Sequence, residues 1–217
     1  YLPHFRRYLK AKAKYLGHEN GLPFYDLFAP VGKASKAYTI EEAREVLLRE
    51  MGKFTPEMAK FIDNAFEQRW IDIYPREGKR GGAFCSGMHA FDRSLVMTNY
   101  QGSFSDISTL AHELGHAWHN RCLAGLPYAM IHTPMPLAET ASIFNETILA
   151  HQVLAAASEE EQFTLLEGSL MESTQTCVDI LSRYLFETEV IDTRADHAMT
   201  VDELKDCMLR AQEATYG

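Results

Sequence analysis

A chain of 217 residues, 46% apolar and 24% charged, is long enough to bury the core of one good-sized globular domain. Its 30 acidic against 21 basic residues leave a formal net charge of −9, which argues against a nucleic-acid partner, because phosphate binding needs clustered Lys and Arg. No signal peptide and no apolar run near the roughly 20 residues that cross a bilayer are found, and Cys85, Cys122, Cys177 and Cys207 are scattered without C-x-x-C spacing. Reduced thiols, a cytoplasmic site and no membrane partner are the expectation.

In chain order, Phe5 to Leu16 reads as an amphipathic helix stopped by Gly17 and the Asn20-Gly21 pair. Gly21 to Ala37, with Pro23, Pro30 and the aromatics Phe24, Tyr25 and Phe28, reads as an irregular segment pinned by aromatic packing. Thr39 with Glu42 forms a capping box, and Thr55-Pro56 places a cap before a first-turn proline, which predicts helices near 40–51 and 56–69. The period then falls to two in Trp70 to Tyr74, and β-like runs recur at Ala83–Met88 and Leu95–Tyr100, enough for a small sheet. Helical patterning resumes at about 106–122, with Ser105-Asp106 as its start, and at 137–156. A long helix opened by Ser158 and Glu161 and a last one opened by Thr200 and Glu203 complete the chain. The fold class is therefore mainly α with a small β-sheet. With no internal repeat or boundary, 1–217 reads as a single unit. It opens at Tyr1 without a Met, as part of something longer would.

The central feature is His112-Glu113-Leu114-Gly115-His116. Two histidines four apart lie one turn apart on the same helix face, so both imidazoles can reach one metal. Glu113 is then placed to take a proton from zinc-bound water and pass it to a leaving amine. The pentapeptide arises by chance in about one chain in thirty of this composition, so its context matters. Ile107, Leu110, Ala111, Leu114 and Trp118 give the helix a buried side.

A catalytic zinc takes three protein ligands and leaves a fourth position open. Glu139, an acidic residue opening an apolar helix in Pro136-Leu137-Ala138-Glu139-Thr140-Ala141-Ser142, is the candidate third donor. A carboxylate favoured by the helix dipole is the plainer alternative. Glu146, two turns further on the same face, could orient a ligand histidine through its other ring nitrogen, or simply be solvated. His119 shares the face of His112 and His116 and is a rival ligand, although three helix histidines seldom converge on one ion. His89 and His132 flank this helix and could hydrogen-bond substrate, or be ordinary loop histidines. The glycine-rich Gly81-Gly82-Ala83-Phe84 and Ser86-Gly87 could form turns, or an exposed strand on which an extended peptide pairs.

The segments Tyr25-Asp26-Leu27-Phe28-Ala29-Pro30, Gly78-Lys79-Arg80-Gly81-Gly82-Ala83-Phe84-Cys85, Met97-Thr98-Asn99-Tyr100, Thr109-Leu110-Ala111-His112-Glu113-Leu114-Gly115-His116 and Glu139-Thr140-Ala141-Ser142 closely resemble the oligoendopeptidase F and thimet oligopeptidase family of zinc peptidases, on the oligoendopeptidase F side. The resemblance runs through most of the chain. It implies a mostly helical, zincin-type catalytic lobe and a closed channel for short unfolded peptides. It also implies one zinc held by His112, His116 and Glu139 with Glu113 as base, and a peptide backbone held near Gly81 to Phe84. The family continues past Ala211 to Gly217 into a stretch bearing a histidine and tyrosines that stabilise the oxyanion, and it has a helical part ahead of the region matched here. The chain is thus expected to be an internal part of a larger endopeptidase, weakly active or inactive by itself, since lost oxyanion donors cost on the order of a hundredfold to a thousandfold. The alternatives are a catalytically silent zinc module, favoured by a closed four-ligand site, and a zinc hydrolase acting on larger proteins.

Overall fold

A computed structural model describes residues 1–32 and 37–217. Residues 33–36, part of the segment expected to be irregular, lie outside the described residues. In order come α1 (Leu2–Tyr15), α2 (Ile40–Phe54), α3 (Pro56–Glu67), β1 (Ile71–Asp72), β2 (Phe84–Met88) and β3 (Arg93–Met97). Then follow α4 (Phe104–Cys122), α5 (Met135–Ala138), α6 (Thr140–Ala156), α7 (Glu159–Thr174), α8 (Ile180–Asp196) and α9 (Val201–Thr215). The fold is mainly helical with one three-stranded sheet, as the sequence predicts. No helix among the described residues is long and apolar enough to cross a membrane.

Contacts group the described residues into two compact units, one of 37–161 and one made from both ends of the chain, 1–32 with 162–217. In the first, Thr39 and Glu42 form the expected capping box at the head of α2. Thr55 then ends α2 and caps α3 ahead of Pro56. The sheet order is β1-β3-β2, with β1 parallel and β2 antiparallel to β3, so β2 is an edge strand. Leu47, Met51, Ile62, Ile107, Leu110, Leu114 and Leu149 are fully shielded, so one core joins α2, α3, α4 and α6. Burying a side chain of that size is worth about 1.5–3 kcal/mol. The long α4 therefore has a rigid seat.

Three element boundaries differ from expectation, each for a local reason. The cap of α4 is Ser103, whose hydroxyl accepts from the Asp106 amide, so the helix begins ahead of Ser105. The helix expected over 137–156 is two, because Glu139 ends α5 and its carbonyl accepts the first bond of α6, from the Ile143 amide. The long helix opened by Ser158 carries a single π-turn, Gln175–Asp179, between α7 and α8.

In the unit formed by the chain ends, the Lys12 ammonium donates to Glu167 at 2.8 Å and the Tyr8 hydroxyl donates to the same carboxylate at 2.6 Å. The Arg6 guanidinium satisfies the last carbonyls of α9, bonding Ala214 at 2.7 Å and Thr215 at 3.0 Å. The Tyr216 hydroxyl donates to Asp179 in the π-turn at 2.9 Å. These ties link residues far apart in the chain.

Candidate metal centre

The site stands where α4 crosses α6, the most extensive helix pair in the molecule. Their close approach depends on Gly115. A Cβ there would lie 2.7 Å from the Ala141 carbonyl oxygen and 2.8 Å from Ser142 Cα, closer than real Cβ atoms come. The buried Asn145 amide then donates to the Ala111 carbonyl across the junction at 3.3 Å. Glycine within the H-E-x-x-H motif thus brings the head of α6, and Glu139 with it, against the two histidines.

Glu139 Oε2 lies 3.1 Å from His112 Nε2 and 3.2 Å from His116 Nε2. One donor atom from each residue falls within 4.8 Å of the others. A tetrahedral zinc with arms of ~2.0–2.1 Å keeps its ligand atoms about 3.3–3.4 Å apart, so nitrogen, nitrogen and oxygen donors at this spacing fit such an ion. His119 stands outside this group. Around the donors, the His112 Nδ1–H donates to Glu146, and the Ser142 hydroxyl donates to Glu139 Oε2 at 2.7 Å. The first bond fixes which His112 nitrogen faces Glu139, and the second fixes the carboxylate rotamer.

Electrostatics follow from this geometry. The bond to Glu146 raises His112 above the ordinary histidine range, while burial lowers His116. Burial pushes Glu139 up, but the Ser142 hydroxyl and the two histidines outweigh it and hold the carboxyl below its usual range. Glu113 is 6% exposed, and burial raises it, with the nearby Glu139 and Glu146 charges adding to the rise against the opposing pull of His112. A carboxylate kept basic beside three converging donors is suited to accepting a proton.

The glycine-rich segment leads through Ala83 into the edge strand, with Phe84 its first residue, and the Asn99 amide donates to the Arg80 and Gly82 carbonyls at 2.9 Å each, pinning Gly81 between them. His89 lies in the short turn after β2, where it and His132 line a cleft of about 640 Å³. Cys85 is partly buried, and all four cysteines are free. Burial pushes the Cys85 thiol up to about 12, and the Glu113 charge also acts to raise it.

The sequence matches the model of peptidase family M3 over residues 2–188. Chromosomal oligoendopeptidase F of Lactococcus lactis subsp. cremoris is 28% identical over 220 residues, covering all of this chain and 36% of its own length. An oligoendopeptidase F homolog of Lactococcus lactis subsp. lactis is 33% identical over 168 residues, which is 76% of this chain and 28% of that protein. A crystallised candidate peptidase from Chlamydophila abortus superposes with a TM-score of 0.74 at 27% identity, covering all of this chain and 38% of that one. The chain thus spans about a third of the length of its relatives.

Proposed function

Because this chain belongs to peptidase family M3, we propose that it forms the metal-binding part of a zinc-dependent endopeptidase that cuts internal bonds of short peptides. His112, His116 and Glu139 are the ligands of one zinc, and Glu113 is the catalytic carboxylate. The observation that carries this reading is the convergence of the three donor atoms within 4.8 Å, with Glu113 next to the first of them. Three donors are the count of a catalytic rather than a closed structural site. A zinc ion bound there supplies a Lewis acid for the scissile carbonyl and makes the attacking water more acidic. Glu113 accepts that water's proton and delivers it to the leaving amine. Glu146 holds the His112 ring so that Nε2 is the free donor. The edge strand β2, with Gly81 to Phe84 leading into it, offers unpaired backbone groups to an extended peptide.

Short peptides as substrates are supported by the names of the oligoendopeptidase relatives. Both compact units belong to one partial catalytic domain on this reading, since the family match runs through each. We place turnover by residues 1–217 alone well below that of a full-length relative. The test is zinc content by plasma mass spectrometry after dialysis at neutral pH, on this chain and on Glu139→Ala. About one zinc per chain, lost or much weakened in the variant, is expected. Undiminished zinc in Glu139→Ala removes that residue from the ligand set.

A further inference from the structure

We propose that Asn99 is a positioning residue for substrate: its carboxamide takes the place of a missing rung of the sheet and so holds Gly81 and Ala83 where an extended peptide meets them. This rests on the peptidase reading above.

The register of the sheet shows which backbone groups are open. The Val96 and Thr98 amides donate to the Trp70 and Asp72 carbonyls at 2.9 Å each, so β3 turns the backbone groups of Arg93, Leu95 and Met97 toward β2. Their partners are Met88, Ser86 and Phe84, which leaves the N–H and C=O groups of Cys85 and Gly87 on the outer side of this edge strand. Carried two residues further, the same register sets Gly82 opposite Asn99. The ladder stops short of that point, because Gly82 has a left-handed φ of +79° and bends the chain out of the extended form. Asn99 closes the gap with its side chain. Its amide nitrogen carries two hydrogens and reaches the Arg80 and Gly82 carbonyls at 2.9 Å each, so one group satisfies two acceptors two residues apart.

The clamp acts on a short span. Upstream, the Lys79 ammonium, 3% exposed, bonds the Tyr74 carbonyl at 2.7 Å and the Asp72 carbonyl at 3.1 Å. Downstream, the ladder holds the chain from Phe84 onward. Residues 80–83 are thus the part that depends on Asn99. Within it, Gly81 and Ala83 make no backbone hydrogen bond among the described residues. Gly81 adds an independent observation. Its φ is not left-handed, and a Cβ added to it would meet nothing within 4 Å, so neither backbone strain nor packing in this chain calls for glycine there. A residue without a side chain at such a place leaves room for a second backbone to come close. Without Asn99 the peptide would have to order this span itself, and the entropy lost in doing so would weaken its binding.

The experiment uses the whole chain as Glu113→Gln, so that bound peptide is not consumed, with zinc content and urea midpoint measured on every sample. A blocked six-residue peptide is titrated into this chain and into the same chain carrying Asn99→Ala or Asn99→Asp, the second of which keeps the size of the side chain and removes its donors. The amide proton signals of Gly81, Ala83, Cys85 and Gly87 are followed by NMR. With Asn99 present, all four are expected to shift on binding. Each Asn99 variant is expected to bind about three- to tenfold more weakly at unchanged zinc content, with the Gly81 and Ala83 shifts lost and those of Cys85 and Gly87 retained. A role in folding alone would lower the urea midpoint and weaken all four shifts together, and that result overturns the proposal. Equal binding with and without Asn99, Gly81 and Ala83 signals that peptide leaves unmoved when Asn99 is present, or no peptide binding by the zinc-loaded chain also overturns it. Absence of zinc uptake counts instead against the peptidase reading.

Discussion

In residues 37–161 the side chains that hold the helices together are apolar and fully shielded, while polar groups gather where α4 meets α6. In the unit built from 1–32 and 162–217 the balance shifts. Lys12, Glu167, Thr174, Ser182 and Thr215 are buried there, whereas Leu170, Ile180, Ile191 and Val201 lie exposed. One unit is located by packing and spends its polar chemistry on a site. The other adds to its apolar contacts a buried charge pair, Lys12 with Glu167, in which removing one partner strands the other. The difference matters because packing defects are graded, while a buried charge left alone is costly at once.

That contrast breaks most sharply at Lys12. Lys12→Met leaves the buried Glu167 carboxylate without its counter-charge, with only the Tyr8 hydroxyl on it, and is expected to destabilise the terminal unit by about 3 kcal/mol, and adding Glu167→Leu should recover most of the loss. Both tryptophans, Trp70 and Trp118, lie in the other unit. Tryptophan fluorescence therefore follows residues 37–161, and hydrogen exchange in α1 and α7 follows the terminal unit. A double variant as unstable as the single one would show that the pair is not what locates α1.

On the packed side, Gly115→Ala forces a methyl against the α6 backbone. Overpacking of this kind costs about 1–3 kcal/mol, and here it also moves Glu139 and Ser142 away from the histidines. Denaturant midpoint and zinc affinity should fall together. Glu146→Gln separates them: zinc binding weakens about 10- to 100-fold because His112 loses its orienting carboxylate, while folding changes little. Isothermal titration with zinc beside urea unfolding distinguishes the two, and a Glu146→Gln chain binding zinc as well as the parent would remove that carboxylate from the site.

The histidine pair was legible because four-residue spacing determines a helix face whatever surrounds it. Glu139 and Glu146 were legible through their two-turn separation and the oddity of acid in an apolar run. The caps at Thr39, Thr55, Ser158 and Thr200 are local chemistry and sit where the sequence puts them. The role of Gly115 was not readable, since it depends on how closely a later helix approaches, and nothing nearby in sequence reports that distance. Asn145 was missed for the same reason, although a polar amide inside an apolar helix was a usable signal. The cleft lined by His89 and His132 joins the short 3₁₀ turn after β2 to a loop some forty residues on, a meeting decided by the length of α4. The start of α4 was expected at Ser105-Asp106, but Asp106, whose carboxylate accepts from the Ser103 and Gln101 amides at 2.9 and 3.1 Å, makes Ser103 the cap instead.

The smallest expected effect sits at β1 of the packed unit, where the same charge chemistry as Lys12–Glu167 occurs with a carboxylate that water reaches. Arg76 at 2.7 Å and Lys79 at 3.1 Å hold Asp72 down to about 2, against an ordinary value of 3.8. A folded-state pKa below the unfolded one favours the folded chain when the group is charged, so the contribution is complete above about pH 4 and disappears as pH falls toward 2. The Asp72 side chain is 42% exposed and Lys79 keeps the Asp72 and Tyr74 carbonyls as partners, so solvent screens the carboxylate and the gain is small. Asp72→Asn should unfold slightly earlier in urea than the parent at pH 5.5, with the two converging near pH 2. A gap that persists in acid would mean that the Asp72 carboxyl acts through hydrogen-bond geometry the amide does not reproduce rather than through its charge, since the backbone carbonyl, which accepts from Lys79 at 3.1 Å and from the Thr98 amide at 2.9 Å, is the same in both chains.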